Sequence, residues 1–384
     1  MRLSNADVLP DDRYAGTLVG RVRVEVPHPG PRTFVLEDDR LHDLSHVAPT
    51  LSDLFDLPDA ATRAKQADGE VICTLEHALR HHLLLAPCDL QALKATGVTF
   101  AGSLIERVIE ERAHGNPYSA AELRAELTAR LGVLSGVKPG SAEATEVRRV
   151  LTEKGLWSQY LEVGIGPDAE IFTKAQPLSA VGCGAEIGLH PASKWSNSEP
   201  EIVLAVSSRG DIAGATLGND LNLRDFEGRS ALLLSRAKDN NASCAIGPFV
   251  RMFDGTFGLD QVRAAEVHIH IDGPDAFHVE GTNFMREISR DPLELVRAAI
   301  GPANHYPDGM MLFLGTMFVP TKDRHGSGSG FTHEIGDRVR ISSSALGALH
   351  NVVTTSDRAP PWTFGFRALA SSLAARGLLR KTDN

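Results

Sequence analysis

Cysteine is scarce in this 384-residue chain: Cys73, Cys88, Cys183 and Cys244 are scattered, with no CxxC pair. That excludes a disulfide framework and a CxxC metal or redox centre, and points to buried or incidental thiols in a reducing cytoplasm. Long apolar runs are missing as well. No segment approaches the ~20 residues of a membrane helix, and Met1-Arg2-Leu3-Ser4-Asn5 opens no signal-peptide pattern. Positive charge is outweighed, with 39 Lys and Arg against 49 Asp and Glu and a formal net charge of −10, so no phosphate-tracking nucleic-acid surface is expected. There is no internal repeat. Low complexity is confined to Gly326-Ser327-Gly328-Ser329-Gly330, a flexible loop without the strand-to-helix setting of a phosphate loop. What remains is an ordinary globular composition, 42% hydrophobic and 23% charged, in a chain long enough for one large domain and a smaller one.

Hydrophobic periodicity divides the chain. Leu18, Val19, Val22, Val24 and Val26, then Phe34-Val35-Leu36, flank a Pro- and Gly-rich turn at 27–31 and read as a hairpin. A helical stretch at about 50–65 is interrupted near Pro58, and the apolar run 83–87 follows. These features outline a small N-terminal α/β domain over 1–95. The remainder, 96–384, carries a helical insertion at about 116–160. Leu104, Ile105, Val108 and Ile109 share a helical face, with Glu106, Arg107, Glu110 and Glu111 off it, and Ser119 with Glu122 matches a capping box. From Glu170 onward the texture is short β-rich runs (201–207, 266–271, 277–280, 311–314, 337–341) separated by Gly and Pro. The expected fold class is α+β, mostly antiparallel β, with peripheral helices.

The chemistry concentrates around Glu199-Pro200-Glu201, which opens the apolar run 202–206. Strand side chains repeat every two residues, so both carboxylates point to one face, about 6.7 Å apart along the strand. Their repulsion of about 2–3 kcal/mol at an effective dielectric near 20 is tolerated when a cation lies between them. With Asp220 they form an oxygen-rich set suited to magnesium, manganese or calcium rather than zinc.

Further along come Asp220-Leu221-Asn222-Leu223-Arg224-Asp225, Lys238 before Gly247-Pro248, Gly315-Thr316 after an apolar strand, and Gly336-Asp337 at a turn. This ordered set, over about 170–353, resembles the fumarylacetoacetate hydrolase family. The resemblance implies that family's mixed β-roll fold, a Mg2+ or Mn2+ cofactor on Glu199, Glu201 and Asp220, and Lys238 beside a bound 2-oxo acid. Arg224 and Thr316 would shape the pocket with Ser103, and the assembly would be a homodimer or homotetramer. Glu106 stands where hydrolytic members have a histidine, and Glu227 where several have a glutamine. Both departures point away from carbon–carbon hydrolysis and toward the branch that dehydrates 2-keto-3-deoxy sugar acids, here the five-carbon acid derived from D-xylose. In that branch Glu106 would move protons, and Lys238 would stabilise an enolate or act as a base if its pKa were lowered. The same-superfamily alternative is an acylpyruvate hydrolase. The different-class alternative is a non-catalytic 2-oxo-acid-binding protein.

Plainer roles compete at several positions. Ser103-Leu104-Ile105-Glu106 is itself a capping box, and Glu110 could pair with Arg107 in solvent. Asp225 is expected to accept from nearby backbone or Arg groups. Glu266, His268 and His270 share a strand face and would suit zinc or iron, but a hairpin strand with a wet outer face explains them more simply. His77, His81 and His82 are expected to face solvent.

Overall fold

The computed structural model describes residues 1–131 and 136–379. Two sheets pack face to face. The larger has eleven strands in the order 71–74, 40–43, 30–37, 18–24, 244–252, 212–223, 196–206, 310–313, 92–97 and 170–175, with 84–85 added beside 18–24. The smaller runs 278–284, 266–272, 338–343, 347–355 and 186–189. Among the described residues pairing is antiparallel except between 310–313 and 92–97 and between 347–355 and 186–189. The mostly antiparallel α+β architecture expected from the sequence is the one observed.

Alternation along the central strand decides what faces what. Ile202, Leu204 and Val206 join Val267, Ile269, Ile271, Val339 and Ile341 in the core between the sheets. Val203 and Ala205 face the opposite way, with Phe313, Met311 and Ile246, under helices Leu51–Asp56 and Ala60–Lys65. Both faces of the large sheet are therefore buried, and any polar side chain on 196–206 or 212–223 must find a partner indoors.

The sheet continues across residue 95. Strand Leu18–Val24 pairs with Cys244–Met252, and Ala92–Gly97 pairs with Met310–Phe313. Helices Ala101–Arg112, Pro117–Leu131, Ala142–Glu153 and Gln159–Ile165 follow. The second of these begins three residues earlier than the Ser119 capping box predicts, because Asn116 Oδ1 accepts from the Tyr118 amide at 3.0 Å and Pro117 supplies a preset first turn. Among the described residues no helix is long and apolar enough to cross a membrane.

Candidate metal centre and active site

Register builds the centre. Asp220 sits directly opposite Glu199, and Gly218 opposite Glu201, so the three carboxylates project from one face of two paired strands. That face is the one continued by Val203 and Ala205, which places the carboxylates at the margin of a buried layer. All three are buried, at 1–3% exposure, and their oxygens lie within 4.8 Å of one another. At that spacing each pair of charges repels by about 3 kcal/mol at an effective dielectric of 20.

The surrounding cations show how the fold contends with this. Lys238 donates to Glu199 Oε2 at 2.5 Å and to Asp220 Oδ2 at 2.9 Å. Lys174, fully buried, lies 2.9 Å from Asp220 Oδ1. Arg107 contacts the remaining oxygen of Glu199, Glu110 at 2.6 Å and Glu227 at 3.2 Å. The Gly315 amide donates to Glu201 Oε2 at 2.5 Å, which requires a left-handed turn (φ +87°) at that glycine. Glu170, Phe172, Glu227, Ser103, Thr96 and Thr316 complete the cleft wall.

Five carboxylates in the cleft (Glu170, Glu199, Glu201, Asp220, Glu227) face three cations (Lys174, Lys238, Arg107). The formal surplus is two negative charges, the charge of one dication. The acid–base properties register the same surplus. Burial, then the charges of Asp220 and Glu199, push the Glu201 carboxyl well above the usual range. Burial raises Glu227 too. It also pushes Glu170 up to about 7, reinforced by Glu227. Asp220 goes the other way, since Lys174 and Lys238 outweigh its burial. A hard divalent cation on three oxygens fits this donor set, whereas a thiolate- or imidazole-preferring ion does not.

The structure brings Glu199, Glu201, Asp220, Lys238, Thr316 and Ser103 to one cleft. Glu106 and Arg224 do not line it. Glu106 forms a two-pronged ion pair with Arg124 (2.8 Å each) and lies 3.4 Å from Arg224. Arg224, 1% exposed, is held by Glu110 at 2.7 Å and stacks over Trp195. The Ser103–Glu106 capping box does not form, because the helix starts a turn earlier and Ser103 Oγ donates to Phe100 O. The Lys238 ammonium is shifted in the direction opposite to the lowering that a basic role would need. Burial pulls its pKa down, but Asp220, Glu199 and Glu227 win and raise it.

The polar face of helix Ala101–Arg112 turns inward rather than to solvent: Ser103, Arg107 and Glu110 are buried. The Glu110–Arg107 pair exists, but in the interior, since the cleft itself is the polar environment it meets. Thr316 Oγ1 accepts from Asn283 Nδ2 at 2.9 Å. Asp225 accepts from Ser193 Oγ and the Lys194 amide, as expected. Glu266, His268 and His270 lie on the wet outer face of the small sheet, alternating with buried Val267, Ile269 and Ile271.

Sequence reasoning did not select Glu170, Lys174, Arg107 or Glu227 for the site. A signal for the first two existed. Glu170, Phe172 and Lys174 alternate along strand Glu170–Ala175, so one face presents a carboxylate, a ring and a cation to the cleft.

No protein-family model matches the chain. It is 32% identical over 203 residues to the probable 2-keto-3-deoxyxylonate dehydratase of Haloferax volcanii, covering 53% of this chain and 66% of the relative. It is 31% identical over 180 residues to the 2-dehydro-3-deoxy-D-arabinonate dehydratase of Saccharolobus solfataricus, covering 47% and 57%. The match thus spans less than two thirds of either relative. Among solved structures, a 2-keto-3-deoxy-D-arabinonate dehydratase complexed with magnesium and 2,5-dioxopentanoate superposes with a TM-score of 0.62 at 21% identity, over 88% of this chain and 99% of that one. Fumarylacetoacetate hydrolase from Exiguobacterium antarcticum superposes with a TM-score of 0.52 at 15% identity over the same shares. The chain has the fumarylacetoacetate hydrolase fold, and the resemblance to the sugar-acid dehydratases read from its motifs holds.

Proposed function

We propose that this chain is a divalent-metal-dependent hydro-lyase that dehydrates 2-keto-3-deoxy-D-xylonate (the same compound as the arabinonate) to 2,5-dioxopentanoate in pentose catabolism. The observation that carries the reading is the buried Glu199–Glu201–Asp220 set with Lys238 bonded to two of its members. The names of the two relatives and the magnesium-bound structural neighbour support it. In this reading the enzyme works in the cytoplasm as a homodimer or homotetramer.

Glu199, Glu201 and Asp220 would hold Mg2+ or Mn2+, which supplies Lewis-acid polarisation of the substrate's 2-oxo group and so acidifies C3. Lys238, held protonated by its carboxylate neighbours, would stabilise the negative charge that develops as the C3 proton leaves. Glu170 is the cleft carboxyl whose proton affinity lies near neutrality, which suits it to take the C3 proton and return one to the departing C4 hydroxyl. Water is then the leaving molecule, and tautomerisation through C5 yields the terminal aldehyde. Arg107, Thr316 and Ser103, which line the same cleft, would border the substrate. Glu106, paired with Arg124 away from the cleft, would brace Arg224 and the helix rather than move protons.

The test is product identity. The purified protein with Mg2+ should convert 2-keto-3-deoxy-D-xylonate to a semialdehyde detectable with a carbonyl reagent. Pyruvate release from an acylpyruvate, with no semialdehyde, would assign it to the hydrolases instead. Tight binding of a 2-oxo acid with neither product would assign it to a binding role.

A further inference from the structure

The outer face of the small sheet carries a second constellation unrelated to the cleft. Strands Glu266–Asp272 and His278–Phe284 form a hairpin in which His270 faces Glu280 and Asp272 faces His278. All four side chains lie on the solvent side, because the intervening Ile269, Ile271 and Val279 enter the core. His270 Nδ1 is 3.5 Å from Glu280 Oε2, and His278 Nε2 is 3.7 Å from the same oxygen. A tetrahedral zinc ion with bonds of about 2.1 Å holds its ligands roughly 3.4 Å apart, close to both carboxylate–imidazole separations, and the three ligand atoms all lie within 4.8 Å of one another.

A second feature points the same way. His278 Nδ1 lies 2.8 Å from Asp272 Oδ1. That carboxylate accepts from Nδ1–H and leaves Nε2 as the ring nitrogen that faces Glu280. Carboxylate-oriented imidazoles of this kind are the usual outer support of a metal-bound histidine. Two cations lie nearby with neutral acceptors and keep their charge: Arg340, the register partner of His270, donates to Ser342 Oγ at 2.9 Å, and Lys322 donates to the His278 carbonyl at 2.6 Å. Two imidazoles and one carboxylate favour zinc, cobalt or nickel over magnesium or calcium.

We infer that His270, His278 and Glu280 form a surface site for a borderline transition-metal dication, zinc foremost, separate from the buried carboxylates. The ion would clamp the edge strand of the small sheet to its neighbour, leaving a fourth position open to solvent. This site stands or falls independently of the proposed dehydratase activity.

Calorimetric titration of the tag-free full chain with zinc tests it. With Mg2+ present in excess to occupy the buried carboxylates, the wild type and Glu199→Gln should each bind one equivalent of zinc, and His270→Ala/His278→Ala should bind none. Asp272→Asn should weaken the surface equivalent by about 10–100-fold. Cobalt added to Glu199→Gln should give visible absorption of a low-coordinate nitrogen–oxygen site that His278→Ala removes. A zinc equivalent that the double-histidine variant retains undiminished, or a wild type that binds no zinc, would overturn the inference.

Discussion

The molecule builds two carboxylate-bearing clusters by the same device, alternate residues on paired antiparallel strands, and burial makes them opposites. In the large sheet Glu199, Glu201 and Asp220 are sealed among three cations. Their neighbours determine which of them ionises, and oxygen is the only donor type on offer. In the small sheet His270, His278 and Glu280 stand at the surface, where water screens their charges and imidazole sets the preference. The same strand geometry thus yields a site for a hard ion in one place and for a borderline ion in the other.

The largest expected break in this contrast is removal of a buried ligand. Glu199→Gln or Asp220→Asn should lower metal-dependent turnover by more than ~100-fold, beyond what loss of an outer-shell partner costs, with the circular dichroism spectrum unchanged. Wild-type turnover persisting in excess chelator would contradict the assignment. Glu170→Gln comes next: kcat should fall by about 10²–10⁴-fold while magnesium affinity stays within a few-fold. In the wild type, activity should rise with pH as Glu170 loses its proton. The midpoint is expected at or below pH 7 with the ion bound, because a nearby cation favours the carboxylate. The variant should lack that limb of the pH–rate profile.

Lys174→Met should cost roughly 3–5 kcal/mol of stability in urea unfolding, since it strips a fully buried partner from Asp220. His278→Ala at the surface should change stability by no more than about 0.5 kcal/mol in the absence of zinc. Equal losses would erase the distinction between the two clusters.

Gly97→Ala probes a finer point. A β-carbon there would lie 1.8 Å from Glu170 Oε2, whose residue is its register partner. Displacing that flexible carboxyl should reduce kcat while leaving the unfolding midpoint nearly fixed. The smallest signal is proton release. Glu201 is raised above the usual range by burial and its acidic neighbours, which favours its protonated form, whereas a bound ion favours the carboxylate. Magnesium binding should therefore expel protons and tighten with rising pH, measured by calorimetry in buffers of different ionisation enthalpy. His270 is shifted downward by burial and by Arg340, so zinc at the surface should release fewer protons at neutral pH.

Much of this was readable in the chain. Alternation located Glu199 and Glu201 on one face, and the ordered motifs added Asp220, Lys238 and Thr316. The strands read at 266–271, 277–280, 311–314 and 337–341 and the two helices broken at Pro58 overlap those observed, whereas the strand read at 201–207 begins at 196, and 212–223 and 244–252 have no counterpart in the periodicity. What failed did so for a consistent reason. A helix pattern separates polar from apolar faces but says nothing of whether the polar face meets water or a charged cleft, so Arg107 and Glu110 looked exposed. Glu106 stands at a motif position, and in the structure Arg124, eighteen residues on, pairs with its carboxylate outside the cleft. Lys174 lay outside any motif, because its role depends on a strand pairing that composition does not reveal.

Pro200, lodged between two of the carboxylates, has one more consequence. The 310–313 strand pairs only as far as Val203, so at Pro200 the central strand is locally an edge and a missing amide hydrogen leaves no rung unfilled. Its carbonyl is taken instead by the carboxamide of Asn283 at 2.5 Å, a side chain from the same edge strand that bears His278 and Glu280. Asn283 also accepts from the amides of Met317 and Phe318. A single asparagine therefore rivets the outer hairpin, the ligand-bearing backbone and the loop beyond Thr316, and a disturbance on the wet side of the molecule has a short mechanical route to the dry one.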